Sequence, residues 1–396
     1  MKKVVLAFSG GLDTSYCALY LKEKMNLEVH SVFVDTGGWT PEELVTLEKH
    51  AYNLGVSTHK TLSQAQQFYD DCIKYLIAGN ILRNNSYPLS VSAERMFQAL
   101  AVAEYAQKID AAYVAHGSTG AGNDQVRFDL AFRIVCPELS ILSPIRAQNL
   151  SREEELNFLQ DKGVQFSKDQ ALYSINKGLW GTSVGGKETL SSDLFLPDSA
   201  FPTQVTKQGS EQLDIEFEKG EPVSFAGKEF THPRFLIEAL HQYTAPYGIG
   251  RDLHVGDTII GIKGRVGFEA PAPHLLIRAH HALEKHVLTK EQLALKEQLS
   301  AKYGAMIHEG LFLEPALRDI EKFLESSQQM VSGTVKVFLA PYRFHITGIQ
   351  SKHDLMSPQF AQYGELNRSW SGDDVKGFSK ILGNQQMIYR KVNQNA

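Results

Sequence analysis

The chain has 396 residues, of which 43% are hydrophobic, enough to bury the cores of two or three domains without disulfide or metal staples. Its formal net charge of -5 gives no general attraction for nucleic acid or an anionic membrane. Cys17, Cys72 and Cys136 are odd in number and far apart, which argues for reduced thiols in a cytoplasmic protein and against a disulfide framework.

The first apolar stretch, Val4 to Phe8, stops at Ser9-Gly10-Gly11, too early for a signal-peptide core. No run of about 18 apolar residues reads as a membrane span. Val4 to Phe8 is instead a buried strand, followed by a helix from Leu12 to Lys24. A second strand, Val29 to Val34, leads into a helix over Pro41 to Leu54 that opens with proline and two glutamates and closes at Gly55. A third unit runs from Ser57 through a helix at Ala65 to Ile77. Ser92 to Gln107 reads as a helix, Ala111 to Ala115 as a strand, and Leu139 to Leu142 as a last strand. This alternation predicts an α/β fold with a doubly wound parallel sheet, binding its ligand at the carboxyl ends of the strands.

Ser151 starts an acidic helix that reaches Lys162 and stops at Gly163. The domain boundary falls near Phe166 to Ala171, dividing the chain into 1–168 and 169–396. Glycine, serine and turn residues predict a loop-rich stretch as far as Lys207. Beyond Leu213 an α+β pattern follows: a strand at Asp257 to Ile262, helices at Leu275 to Leu288, Lys290 to Tyr303 and Glu314 to Gln328, and a hairpin of Gly333 to Leu339 with Arg343 to Ile349. Asp373 to Leu382 reads either as an amphipathic helix reaching a neighbouring subunit or as a frayed tail.

Two segments carry chemistry. AFSGGLDTS, Ala7 to Ser15, joins the first strand to the first helix. Gly10 and Gly11 let the backbone turn tightly and aim N–H groups at an anion at the positive end of the helix, and Ser9, Thr14 and Ser15 add hydroxyls. The segment lacks both the Gly-Lys-Ser/Thr of a Walker loop and the GxGxxG of a dinucleotide fingerprint. A plain glycine turn capped by Ser9 is the bland alternative, but the serine, glycines, acid and hydroxyls directly after a buried strand favour phosphate.

AHGSTGAGNDQVRFD, Ala115 to Asp129, is the second segment. It gathers Thr119, Asn123, Asp124 and Arg127 in one loop and helix start. Arg127 and hydroxyl donors suit a carboxylate, while Asp124 and Asn123 suit an ammonium group, so the cluster can grip an amino acid; a surface loop capped at Asn123 or Asp124 is the plainer reading. His116 reads as a brace for this loop or a phosphate donor, and Arg95 as a substrate ligand or a salt bridge. His280, Glu284 and His286 lie on one helix, but His286 points to a different face from the other two.

The loop at Ala7 to Ser15 resembles the PP-loop of N-type ATP pyrophosphatases, and with Ala115 to Asp129 it closely resembles the argininosuccinate synthase family. The likeness extends through YPLSVSAER at Tyr87 to Arg95, YSIN with Ser174, the later Ser183, and VSGTVKV at Val331 to Val337. It implies a Rossmann-like nucleotide-binding domain of the adenine nucleotide alpha hydrolase type, then a catalytic and multimerisation domain with a C-terminal arm from about residue 365. The implied reaction condenses citrulline with aspartate through citrullyl-AMP, releasing AMP and pyrophosphate, in a cytoplasmic homotetramer of arginine biosynthesis.

Carried over by motif, Ala7, Phe8, Ser9, Gly10, Gly11, Leu12, Asp13, Thr14 and Ser15 would hold ATP, with Val34 at the adenine and Gly117 also on the nucleotide. Tyr87, Ser92, Asn123, Arg127, Ser174 and Ser183 would hold citrulline, and Thr119, Asn123 and Asp124 aspartate. Ser9, Asp13 and Asp124 would serve the chemistry, with Mg2+ on the phosphates and no dedicated protein site for it; Asp13 reads equally as a partner of the ion or a brace of the loop. Where many family members have a glutamate and a tyrosine for citrulline, this sequence has Gly256 and Phe268. Either His254, Asp257 or Glu269 substitutes, or the pocket is rearranged, or it takes an acylated analogue. A tRNA-modifying PP-loop enzyme and a nucleotide sensor without turnover are the competing readings; the absence of paired thiols and the acidic balance oppose the first, and the amino-acid-gripping cluster opposes the second.

Overall fold

The computed structural model describes residues 1–120, 122–166, 173–356 and 369–394. The N-terminal half holds β1 (Lys3–Ala7), α1 (Leu12–Glu23), β2 (Glu28–Asp35), α2 (Pro41–Asn53), β3 (Thr58–Ser63), α3 (Ala65–Phe68), α4 (Lys74–Ala78), α5 (Glu94–Lys108), β4 (Tyr113–Ala115), α6 (Asp124–Val135), β5 (Ser140–Leu142), α7 (Pro144–Gln148) and α8 (Arg152–Asp161). Its five strands form one parallel sheet in the order β3-β2-β1-β4-β5. The predicted parallel sheet is therefore present. The chain works outward from β1 to β3 and then returns to the other side of β1, so the order reverses between β1 and β4 and a crevice opens beyond their carboxyl ends.

Alternation along β1 explains why the strand is apolar throughout. Val5 joins Val32 and Val114 in the core shared with Ala99, Val102 and Ala106 of α5, while Val4 and Leu6 join Val29 and Phe33 in the core shared with Cys17 and Leu21 of α1 and Leu159 of α8. Both faces are covered, so neither tolerates polar residues.

The C-terminal half holds β6 (Ser174–Gly178), β7 (Gly181–Gly185), β8 (Glu211–Glu218), β9 (Glu221–Phe225), β10 (Lys228–Glu229), α9 (Pro233–Thr244), β11 (Arg251–Asp257), β12 (Lys263–Glu269), α10 (Pro271–Val287), α11 (Lys290–His308), α12 (Pro315–Gln328), β13 (Gly333–Ala340), β14 (Arg343–Gln350), α13 (Gly372–Leu382) and α14 (Asn384–Val392). Two further sheets run β10-β9-β8-β13-β14 and β11-β12-β7-β6, with antiparallel pairing throughout.

Several sequence expectations need correction. The strand expected at Asp257 to Ile262 is absent: β11 ends at Asp257 and residues 258–262 turn the chain back into β12, closed by the Thr258 amide donating to the Ile262 carbonyl at 2.8 Å and by the left-handed Gly261 at φ 83°. The isoleucines there imitate a strand, but the glycine permits the turn. The stretch expected to be loop-rich contains β6 and β7, whose Ser, Asn, Lys and Gly residues carry no apolar alternation and gain their conformation from neighbours. The expected helix at Ala65 to Ile77 is interrupted by a π turn at Tyr69–Ile73, and α9 and α14 were not anticipated. The expected boundary near 166–171 lies largely outside the described residues, as does the start of the arm.

Candidate functional site

The glycine-rich loop leaves β1 at the reversal point. Gly10 has φ 75°, and a Cβ there would stand 2.3 Å from Leu47 Cδ1, so both conformation and space demand glycine. No side chain caps α1, which leaves the first-turn N–H groups of that helix directed at whatever occupies the crevice. Ser9 Oγ and Thr14 Oγ1 lie 3.2 Å apart on the exposed side of the loop, and Thr14 also accepts from the Ser9 amide at 3.3 Å. Ser15 behaves differently: it is fully buried and its hydroxyl meets His50 Nε2 at 2.8 Å. Of the three hydroxyls expected on phosphate, two face the crevice and one braces α1 against α2. Ala7, Phe8 and Leu12 supply backbone, and the side chains of Phe8 and Leu12 are buried. Val34 is buried near the carboxyl end of β2, opposite Leu62.

Asp13 does not sit free over this loop. Its carboxyl is hydrogen-bonded to that of Glu155 on α8; burial pushes Asp13 upward against Arg152 and the bond from Glu155, while burial and Asp13 together push Glu155 upward against Arg152. Two acids in contact retain a proton between them at pH values where an isolated carboxyl would have lost it. That geometry favours the bracing role for Asp13.

The second loop closes the crevice from β4. A Cβ on Gly117 would lie 3.2 Å from both the Asp13 carbonyl carbon and Thr14 Cγ2, so the two loops touch. His116 Nδ1 accepts from the Ser118 amide at 3.2 Å and its Nε2 meets Asp129 at 2.9 Å. The first bond fixes the proton on Nε2, and Asp129 also holds Arg146 at 2.9 Å, so His116 is a brace. Thr119 lies on the exposed part of this loop. Asn123 Oδ1 accepts from the Ile259 amide at 2.8 Å, which ties the β11–β12 turn to the loop.

At the start of α6, Asp124 is held from both sides. Arg95 Nε donates to Oδ2 at 2.9 Å and Arg127 Nη1 to Oδ1 at 2.8 Å. Burial would raise its pKa, but the two guanidinium groups outweigh that and hold it down at about 2. The side chain remains 38% exposed, and each oxygen keeps a lone pair for a further donor. Arg95 also donates to Glu94 at 3.1 Å, Gln98 at 2.8 Å and Asn176 at 3.0 Å, which makes it the hub of a salt-bridge network. Arg127 is 3% exposed and gives two bonds to the His308 carbonyl, at 3.0 and 2.6 Å.

The sheet β11-β12-β7-β6 forms the opposite wall. Phe268 pairs with Ser183, and Ser183 with Asn176, so this row, with Ser174 two residues along from Asn176, shares one face. Gly256 and His254 lie on that same face of β11. Tyr87 covers it, its ring 4.9 Å from His254 and 5.4 Å from Phe268, and its hydroxyl accepts from the Val91 amide at 3.3 Å. Ser92 is buried and donates to the Leu89 carbonyl at 3.5 Å. Glu269 points elsewhere, into an ion pair with Arg251 at 2.9 Å, and Asp257 is paired at the surface with Lys263 at 2.6 Å, so neither stands beside Tyr87 as a substitute acid.

The helix cluster of histidines is structural. His280 bonds Asn80 at 2.6 Å and Gln328 at 2.8 Å, Glu284 meets Lys296 at 3.0 Å, and His286 meets Asp354 at 3.2 Å. Among the described residues no group of three or more His, Cys, Asp or Glu is arranged to hold a metal. Residues absent from the sequence reading include His50, Glu155, Asn176 and His308. His308 lies 181 positions from Arg127, and no local pattern announces such a partner.

Residues 3–165 match the family model described as arginosuccinate synthase N-terminal HUP domain, and residues 173–389 match the arginosuccinate synthase C-terminal domain. Among similar proteins, the argininosuccinate synthase of Methanocaldococcus jannaschii is 37% identical over 97% of this chain and 97% of its own length. That of Xylella fastidiosa is 37% identical over 100% and 98%, and that of Sulfurisphaera tokodaii 35% identical over 99% and 100%.

Proposed function

The chain belongs to the argininosuccinate synthase family, and from that premise we propose that it condenses a ureido amino acid of the citrulline class with aspartate, converting ATP to AMP and pyrophosphate. The observation that carries this reading is the uncapped start of α1 behind a left-handed Gly10 at the sheet's reversal point. It suits the β- and γ-phosphates and leaves the α-phosphorus open toward the loop at 116–124.

A ureido oxygen is a poor leaving group, so adenylation comes first. The ureido oxygen attacks the α-phosphorus and pyrophosphate departs, its charge met by the α1 amides and the hydroxyls of Ser9 and Thr14. The aspartate amine then attacks the ureido carbon and AMP departs. Asp124 stays ionised at neutral pH because Arg95 and Arg127 hold its pKa low; with its free lone pairs it orients the aspartate amino group, alongside Thr119 and Asn123. Tyr87, Ser92, Arg127, Ser174 and Ser183 line the ureido side. Mg2+ enters on the nucleotide: Asp13 is engaged by Glu155 and Asp124 by two arginines, so neither offers a free carboxylate to a resident ion.

No helix among the described residues is long and apolar enough to cross a membrane, and a cytoplasmic homotetramer with nucleotide chemistry in residues 1–168 and assembly through 169–396 is the arrangement we propose. Pyrophosphate release is measured with ATP and Mg2+, adding the ureido acid and aspartate singly and together. Release that requires both, with AMP as co-product, supports the reading; ADP formation, or turnover dependent on tRNA, contradicts it.

A further inference from the structure

The ureido side of the site is rich in hydrogen-bond donors. Around Tyr87 and Arg127 stand Arg83, whose backbone pairs with Tyr87 at 2.7 Å, together with His254, stacked on Tyr87, and His308, whose Nδ1 faces Arg127 Nη2 at 3.4 Å. His254 and His308 are 5% and 6% exposed. Three of the buried nitrogens here, Arg83 Nε, His254 Nδ1 and His308 Nε2, have no hydrogen-bond partner. Because His308 Nδ1 accepts from Arg127, its proton sits on Nε2, on the side of the Asp257 backbone, and Arg83 Nε is an N–H donor that lacks an acceptor. Buried donors in that condition cost stability unless a ligand satisfies them.

No carboxylate forms an ion pair with Arg83, His254 or His308 among the described residues; Asp257 and Asp252 only lie within electrostatic reach of Arg83 and His254. Asp124 is shared by Arg95 and Arg127, Glu269 is paired with Arg251, Asp257 is at the surface with Lys263, and Asp252 is exposed and bonds the next amide of its own strand at 2.7 Å. At position 256 there is no side chain at all. His254 fills that place, its Nε2 standing 2.5 Å from where a Cβ on Gly256 would be. Burial and then the nearby arginines push both imidazoles well below the usual histidine range, His254 to about 4 and His308 to about 3, so near neutral pH they are uncharged and suited to donate to an acceptor.

An ammonium group has three donors and no lone pair, and donors without acceptors cannot satisfy it. Resting on the ligase reading above, we infer that the ureido substrate of this protein has no free α-ammonium: its α-nitrogen is acylated, and the acyl group ends in a second carboxylate that meets Arg83, His254 and His308. The amide replaces the cation by a neutral group, and the added carboxylate supplies acceptors beyond those of the α-carboxylate. Phe268, fully buried beside Tyr87, then offers an apolar surface for the acyl chain.

Three probes decide the matter, used with the intact protein, ATP, Mg2+ and aspartate: citrulline, Nα-acetylcitrulline and Nα-succinylcitrulline. The expected result is a kcat/KM for the succinyl compound about a hundredfold above that for citrulline, with the acetyl compound between them. Arg83→Ala should shrink the succinyl-to-citrulline ratio about tenfold, a readout that general loss of structure does not move. Preference for citrulline, or equal use of the acetyl and succinyl compounds, overturns the inference and leaves the ligase reading standing. If none of the three supports pyrophosphate release, the ligase reading falls instead, and calorimetric titration of the same compounds still tests the pocket: tighter binding of citrulline than of its succinyl derivative would refute it.

Discussion

Single residues carry most of the constraint at the nucleotide loop. Gly10→Ala places a methyl group against Leu47 in a left-handed backbone, and we expect a loss of about 1–3 kcal/mol of stability with ATP affinity reduced at least tenfold, as read by calorimetric titration. The Asp13–Glu155 pair makes a separate prediction. Glu155 is pushed up to about 8 by burial and by Asp13, so the folded state holds a proton that the unfolded chain releases near the ordinary carboxylate range. Stability conferred by that proton is complete at low pH and is lost as pH rises from about 4.5 toward 8. Glu155→Gln provides a permanent donor to Asp13 and removes the dependence. Melting temperatures measured from pH 5 to 8 should therefore diverge in favour of the variant, by the equivalent of about 2 kcal/mol at the upper end; parallel curves would show that the acids do not share a proton. The loop itself was legible in the sequence, because its glycines and hydroxyls are contiguous. Its brace was not, because Glu155 reaches Asp13 only through the packing of α8 on α1.

At the scale of elements, helix boundaries followed local chemistry closely. Thr40 caps α2 by accepting from the Glu43 amide at 3.3 Å while Glu43 returns a bond to the Thr40 amide at 2.9 Å, and Ser151 and Glu154 repeat the arrangement at α8. Glu43 additionally meets Lys177 of β6, so this cap also links the two halves of the chain. Thr40→Ala should cost about 1 kcal/mol, measured as a lower urea midpoint with an unchanged slope. The strands of the parallel sheet were equally readable, as short apolar runs. Those of the β11-β12-β7-β6 sheet were not: Ser174 to Gly178 is polar and glycine-rich, and its pairing is decided by β7 and by Asn176 bonding Arg95. In β11 and β12 the apolar residues 259–262 mark the turn between strands, so apolarity pointed to the wrong segment.

For the whole molecule, α13 and α14 stand out because none of their residues is buried. Phe378, Ile381 and Leu382 share one face of α13, and Ile388, Tyr389 and Val392 form a second stripe on α14, all of them exposed. A stripe of this kind on a lone chain calls for a partner surface. Removing residues 369–396 should therefore convert the assembly to a smaller species in sedimentation velocity while leaving the nucleotide domain folded; an unchanged sedimentation coefficient would assign the stripe to some other role. What the sequence determined by itself was local: the buried strands, the helix caps, and the two loops whose backbone chemistry is written in adjacent residues. Tertiary structure alone decided which polar groups were spent and which were free. Arg95 and Arg127 converge on Asp124, Ser15 turns to His50, and Arg83, His254 and His308 gather with no carboxylate ion-paired to them among the described residues, because electrostatic pairing depends on distance in space and on burial, and chain order encodes neither for residues more than a few turns apart.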